Sequence, residues 1–244
     1  MLLRQTTVLA DDRSGDADDV CVSRRRFLGA TAVALSALLF AGCTTSGAPA
    51  SATKYFTAGE MRFVRAAVSR LIPADELGPG ALEAGVAEFI DSQLAGSFGQ
   101  ASSWYMQGPW RLGTEQQGYQ LSLTPSELYR SAIPPVDAYC KQRHGAAFAE
   151  LPAAKQDEVL HALQKGDVPI PGIPKDTFFQ TLLQNTMEGF FADPIYGRNR
   201  DFIGWKLIGF PGPRYNYLEE IGKFGVPYEQ PFVSLGGRAP KAEA

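Results

Sequence analysis

Residues 57–73 read TAGEMRFVRAAVSRLIP, and two signals inside them specify a helix. Thr57 and Glu60 stand three residues apart, the spacing of a capping box, in which each side chain satisfies a backbone amide near the other residue. Behind them Val64, Ala67, Val68, Leu71 and Ile72 recur at intervals of three and four, so they share one face of a cylinder. Arg62, Arg65 and Arg70 fall elsewhere on it. Pro73 has no amide hydrogen to donate and ends the helix.

The same grammar runs outward along the chain. After a Gly/Pro turn at 78–80, Leu82, Val86, Phe89, Ile90 and Leu94 predict one further amphipathic helix. Thr124-Pro125-Ser126-Glu127 is a second capping box, with proline in the favoured first helical position. Leu128, Ala132, Val136, Tyr139 and Cys140 follow on one face, and Pro134-Pro135 is expected to kink or split that helix. Leu151-Pro152 opens a short helix reaching Leu163. Lys175-Asp176-Thr177 opens another, with Phe179, Leu182, Leu183, Met187 and Phe190 expected to face inward.

Residues 96–123 show no sustained period and hold Trp104, Tyr105, Trp110 and Tyr119 among glycines, the composition of a long aromatic loop. From Asp193 the chain is turn-rich and aromatic, with short helices expected at 201–207 and from Tyr217 to Ile221. No strand-type alternation persists and no internal repeat is visible. The fold class is all-α: an irregular bundle of about five helices with long aromatic, Gly-rich loops and an extended C-terminal wrap.

Ahead of this domain, Ser23-Arg24-Arg25-Arg26-Phe27-Leu28 precedes a short apolar run, Gly29 to Ala41. Adjacent arginines before such a run resemble a twin-arginine export signal, carried here by Arg24, Arg25, Phe27 and Leu28. The run falls short of the roughly 20 residues a membrane span needs, so a cleaved signal is expected over residues 1–43. Two cleavage sites compete. Phe40-Ala41-Gly42-Cys43 resembles a lipobox, which would leave an acylated Cys43, whereas Ala48-Pro49-Ala50 has the small-x-small pattern of ordinary signal peptidase. Residues 44–55 are then a linker with little apolar surface, 56–230 the folded domain, and 231–244 a C-terminal tail. No later stretch is long and apolar enough to span a bilayer, so the mature chain is expected to be soluble or peripheral.

The net charge of −3 carries no footprint for nucleic acid. There is no Gly-x-Gly-x-x-Gly after a strand, no Cys-x-x-Cys-His and no cysteine cluster, hence no motif for a dinucleotide, a haem or an iron–sulfur centre. His144 and His161, the only two histidines, sit on different predicted helices, with no carboxylate spaced as a metal motif would have it. A spatial Ser-His-Asp triad remains open to a sequence of this kind, although no nucleophile elbow supports one. Glu219-Glu220 point apart on any helix and read as solvated charge. No residue is assigned a catalytic, cofactor-binding or metal-binding role.

Two features stand out from this background. The segment from Asp193 to Gly225 carries Tyr196, Arg198, Phe202, Trp205, Phe210, Tyr215, Tyr217 and Phe224 among glycines and prolines. These rings either cover the helices or form a protein-binding surface, since aromatics with arginine are what interface centres favour. The second is Cys140, the lone cysteine of the domain. It is either a buried thiol on an apolar helix face or, as an odd cysteine in an exported chain, a bridge to another one.

The stretch ADPIYGRNRDFIGWKLIGFPGPRYNYLEEI is similar to the signature region of the gluconate 2-dehydrogenase subunit 3 family. FTAGEMRFVRAAVSRLIPADELGPGALEAGVAEFID, QGYQLSLTPSELYRSAI and AYCKQRHGAAFAEL resemble the same family, so the likeness covers roughly 56–230. Arg198 and Pro134-Pro135 depart from its usual residues. The resemblance implies the small subunit of a membrane-associated, periplasmic sugar or sugar-acid dehydrogenase. In such complexes the large subunit is an FAD-dependent flavoprotein of the glucose-methanol-choline type, and a multi-haem cytochrome c subunit passes electrons to quinone. The small subunit holds no cofactor and no catalytic activity of its own. It carries the export signal, supports folding and maturation of the flavoprotein, and escorts it across the membrane to the periplasm. Membrane association would be indirect or through a lipid on Cys43. The resemblance also implies an inter-subunit disulfide for which Cys140 is the candidate, and a partner interface at Trp104, Trp110, Tyr196, Arg198, Trp205, Phe210, Tyr215 and Tyr217. The rival functions are a free-standing envelope lipoprotein and a self-sufficient periplasmic hydrolase.

Overall fold

In the computed structural model, residues 53–111 and 113–238 are described. The export signal, with Arg24, Arg25, Phe27, Leu28 and Cys43, lies outside them, as does the linker up to residue 52. Seven α-helices appear among the described residues: α1 Ala58–Leu71, α2 Ala81–Ala84, α3 Val86–Leu94, α4 Pro125–His144, α5 Ala153–Lys165, α6 Thr177–Phe191 and α7 Ile203–Ile208. Five of them have nine residues or more, matching the expected count, and none is long and apolar enough to cross a membrane. Two two-residue strands, β1 Val233–Ser234 and β2 Gly237–Arg238, make a minimal antiparallel hairpin at the end. The fold is all-α.

Both capping boxes form. Thr57 N–H donates to Glu60 Oε2 at 2.8 Å while Glu60 N–H donates to Thr57 Oγ1 at 3.3 Å, and Thr124 with Glu127 repeats the pattern at the same distances. Glu60 also accepts from Arg130 at 2.7 Å, which ties the start of α1 to α4. The chain is anchored ahead of the first box: the buried carboxylate of Asp91 on α3 accepts from the amides of Lys54, Tyr55 and Phe56 at 2.6, 3.0 and 2.8 Å.

The core lies between α1, α3, α4, α5 and α6. Phe63, Val64, Ala67 and Val68 of α1 are fully buried, Phe63 against the rings of Phe148 and Phe178 at 4.8 and 6.3 Å. The phenylalanine and the two valines contribute about 1.5–3 kcal/mol each through burial. Helix α6 is the hub, touching every other described α-helix. Its inner stripe is Phe178, Phe179, Leu182, Asn185, Thr186, Gly189 and Phe190. Gly189 lets α6 approach α3 closely, because a Cβ there would sit 2.8 Å from the Phe89 ring.

Three expectations are corrected. The helix predicted over 82–94 is two helices, because Gly85 adopts a left-handed φ of 81° between them, and Leu82 is exposed. Met187 also faces out, because the true stripe of α6 runs 178, 182, 185, 186, 189 and leaves it on the other side. The Pro134-Pro135 pair does not split α4, which runs unbroken for 20 residues. The carbonyls the two prolines leave without donors belong to Arg130 and Ser131, both exposed, where water can satisfy them.

Candidate functional site

The C-terminal segment is built on a few polar anchors. After α6 ends, the Asp193 carboxylate accepts from Ile195 N–H and from Leu235 N–H, each at 2.9 Å, joining the start of the segment to its final hairpin. The fully buried Asn199 amide donates to the Ala192 carbonyl at 2.9 Å and accepts from Gly204 N–H at 2.8 Å. Around it the backbone turns left-handed at Asn199, Asp201 and Phe202, with φ of 53°, 51° and 59°. Asparagine and aspartate tolerate that region through local hydrogen bonding, while a bulky phenylalanine held there stores strain. Gly204 is required by close approach, since a Cβ would fall 2.2 Å from the Phe190 carbonyl oxygen.

The aromatics sort into two layers. Trp205 is only 4% exposed, and its indole N–H donates to the Phe191 carbonyl at 2.8 Å. It packs on Phe202 and Phe210 at 5.5 and 5.0 Å, and Phe232 stacks on Phe202 at 5.7 Å. Tyr217 donates to the Gly212 carbonyl at 3.2 Å and meets the Tyr228 ring at 5.6 Å, and the Arg214 guanidinium lies over the Tyr228 ring, 5.6 Å from its centre. Phe210 and Tyr217 of this layer keep an exposed side, and outside it Tyr196 and Tyr215 are exposed, Tyr215 completely.

Sequence reasoning missed the aliphatic part of this surface. Of the 19 large hydrophobic side chains exposed among the described residues, 14 lie from Met187 onward, among them Ile195, Leu207, Ile208, Leu218 and Ile221. The signal was available in IGWKLIGF: a six-residue helix can turn only one side inward, and here that side is taken by Gly204 and Trp205. Trp104 and Trp110, both partly exposed, belong to another region. Trp104 packs against Phe98 and Tyr119 at 5.8 and 5.4 Å, and Trp110 lines a shallow groove with Leu121 and Ile173. Of the eight aromatic and arginine candidates, then, six share the C-terminal segment and two do not.

Cys140 is on the inner face of α4 with none of its surface exposed. Burial, with the nearby Asp137 carboxylate adding to it, pushes its thiol up to about 12. The sulfur is inaccessible to a second chain while α4 keeps its place. The two histidines share a groove, although their separate helices gave no reason to expect it. His144 and His161 line one open groove of about 620 Å³ with Tyr139, Arg143, Glu158 and Lys165. Among the described residues, no three His, Cys, Asp or Glu side chains are grouped as a metal site requires.

Fold and surface together define an all-α protein whose C-terminal wrap leaves apolar area uncovered. Residues 58–212 match the family described as gluconate 2-dehydrogenase subunit 3, and the chain belongs to that family. No curated protein and no solved structure matches it.

Proposed function

We propose that this chain is the non-catalytic small subunit of a periplasmic, FAD-dependent sugar or sugar-acid dehydrogenase of the glucose-methanol-choline type. In this role it supports maturation of the flavoprotein and carries it through the twin-arginine pathway. Family membership supplies the kind of complex, since the family is named as a subunit of a dehydrogenase. The observation that carries the reading is the concentration of exposed apolar side chains from Met187 onward. Apolar surface that remains in water after folding marks an interaction site, and obligate interfaces are the more hydrophobic ones. FAD then resides in the partner, haem c in a third subunit, and the arginines at 24 and 25 serve the partner's export as well as this chain's own.

Replacing Arg24 and Arg25 together by lysine tests the escort role. The flavoprotein should accumulate in the cytoplasm already loaded with flavin, detected by fractionation and fluorescence. A flavoprotein that still reaches the periplasm in that variant would remove the role.

A further inference from the structure

We propose that Arg198 and Arg200 form a fork for a carboxylate, supplied by an Asp or Glu side chain of the partner subunit. The inference rests on the reading of the chain as a subunit and places the polar centre of its docking surface. Two arginine side chains are brought to one point. A Cβ added at Gly85 would meet Arg198 Cδ at 3.0 Å and Arg200 Nε at 3.1 Å, so both chains cross over a buried glycine between α2 and α3. Glycine is what admits them there. The left-handed residues Asn199, Asp201 and Phe202 hold the loop in this shape, anchored by the buried Asn199 amide. Strain of this kind persists where the surrounding structure enforces it, and it clusters at ligand clamps and binding sites.

Charge at this point is unbalanced. Two guanidinium groups, of Arg65 and Arg200, turn toward the Glu88 carboxylate, and among the described residues no carboxylate lies within ion-pair distance of Arg198. Arg65 takes it at 2.6 Å and Arg200 stands 3.9 Å away. Arg198 donates one N–H to its neighbour's carbonyl, at Gly197, while its Nε–H is shielded from water and has no acceptor. A planar carboxylate fits such a fork. The surroundings favour a protein as its source. Leu82, Ile195 and Tyr196 are exposed around the arginines, and an apolar rim about a charged pair excludes water as interface centres do. The net charge of −3 gives no support to a polyanion.

The test measures the affinity of the full chain for the flavoprotein that it captures, at low and at moderate salt. Arg198→Gln with Arg200→Gln should weaken binding by about 10–100-fold and flatten its salt dependence. Arg200→Lys should fall between, because it keeps the charge and loses the fork. Unchanged affinity and salt dependence in the double variant would overturn the proposal. If the double variant loses helical signal, Arg200→Gln alone decides by the same criteria, since the Arg200 side chain is 54% exposed and its loss leaves no hole. Inorganic phosphate that raises the melting temperature of the free wild-type chain but not of the double variant, with partner affinity unaffected, would make this a small-anion site and also overturn it. Should the wild-type chain bind no flavoprotein at all, the subunit reading fails and the fork fails with it.

Discussion

Asn199 concentrates the logic of the C-terminal segment in one side chain. Its amide is buried with no exposed surface, spans from the Ala192 carbonyl to the Gly204 amide, and sits on a left-handed backbone that few other residues accept. Asn199→Ala removes both hydrogen bonds and the tolerance for positive φ together. The expected cost is about 2–4 kcal/mol, most of it local to the segment. Limited proteolysis should then cut faster between 193 and 238 while the helical circular dichroism stays near wild type; an unchanged cleavage pattern would show that the wrap is held by its aromatic packing alone. Other single residues were more legible. Cys140 follows Leu128, Ala132 and Val136 down one helix face; that spacing offered a buried thiol beside the reading of a bridge to another chain, and the residue is found buried. Trp205 was not legible in the same way, because ring content says nothing about which side of a wrap a ring takes. Its indole N–H needed a carbonyl partner, and the end of α6 provides one.

At the scale of elements, capping boxes were the most reliable marks, because they are local chemistry with one geometry. Both formed, and each began a helix within a residue of the expected place. Periodicity was less discriminating: Leu82 and Met187 each fit an apolar repeat and each lies outside, since a glycine break or a one-position rotation of the stripe leaves the pattern nearly intact. Packing between helices adds pairs that no pattern shows. Arg70 of α1 holds Asp157 of α5 through two bonds, at 2.7 and 2.8 Å, and this pair keeps the Asp157 carboxyl below its ordinary value of 3.8. A depressed carboxylate stabilises the fold above the unfolded value and loses that contribution as the pH falls through the folded one. Both side chains are partly exposed, so Asp157→Asn should cost only about 0.5–1 kcal/mol at neutral pH. In chemical denaturation the difference from wild type should close as the pH is taken below 3.8. A gap that persists at acid pH would mean the asparagine acts through packing rather than charge.

The whole molecule separates into a helical body whose core is closed around α6 and a C-terminal wrap whose inner rings are packed and outer ones are not. The bundle could be read from the chain because its helices carry their own start signals and stripes. The wrap could be recognised only by composition, since its shape depends on Asp193 and on the left-handed Asn199, Asp201 and Phe202 acting over tens of positions. A surface of this kind is expected to be completed by another polypeptide, and the family to which the chain belongs names the sort of complex. The decisive measurement is to purify the tagged full chain from the envelope of cells that produce it and to quantify flavin in what accompanies it. The account predicts a flavin-carrying polypeptide in stoichiometric amount, with amides between 193 and 238 more strongly protected from hydrogen exchange in the complex than in the free chain. A monodisperse chain that comes down alone, without flavin and with that segment already protected, would contradict it.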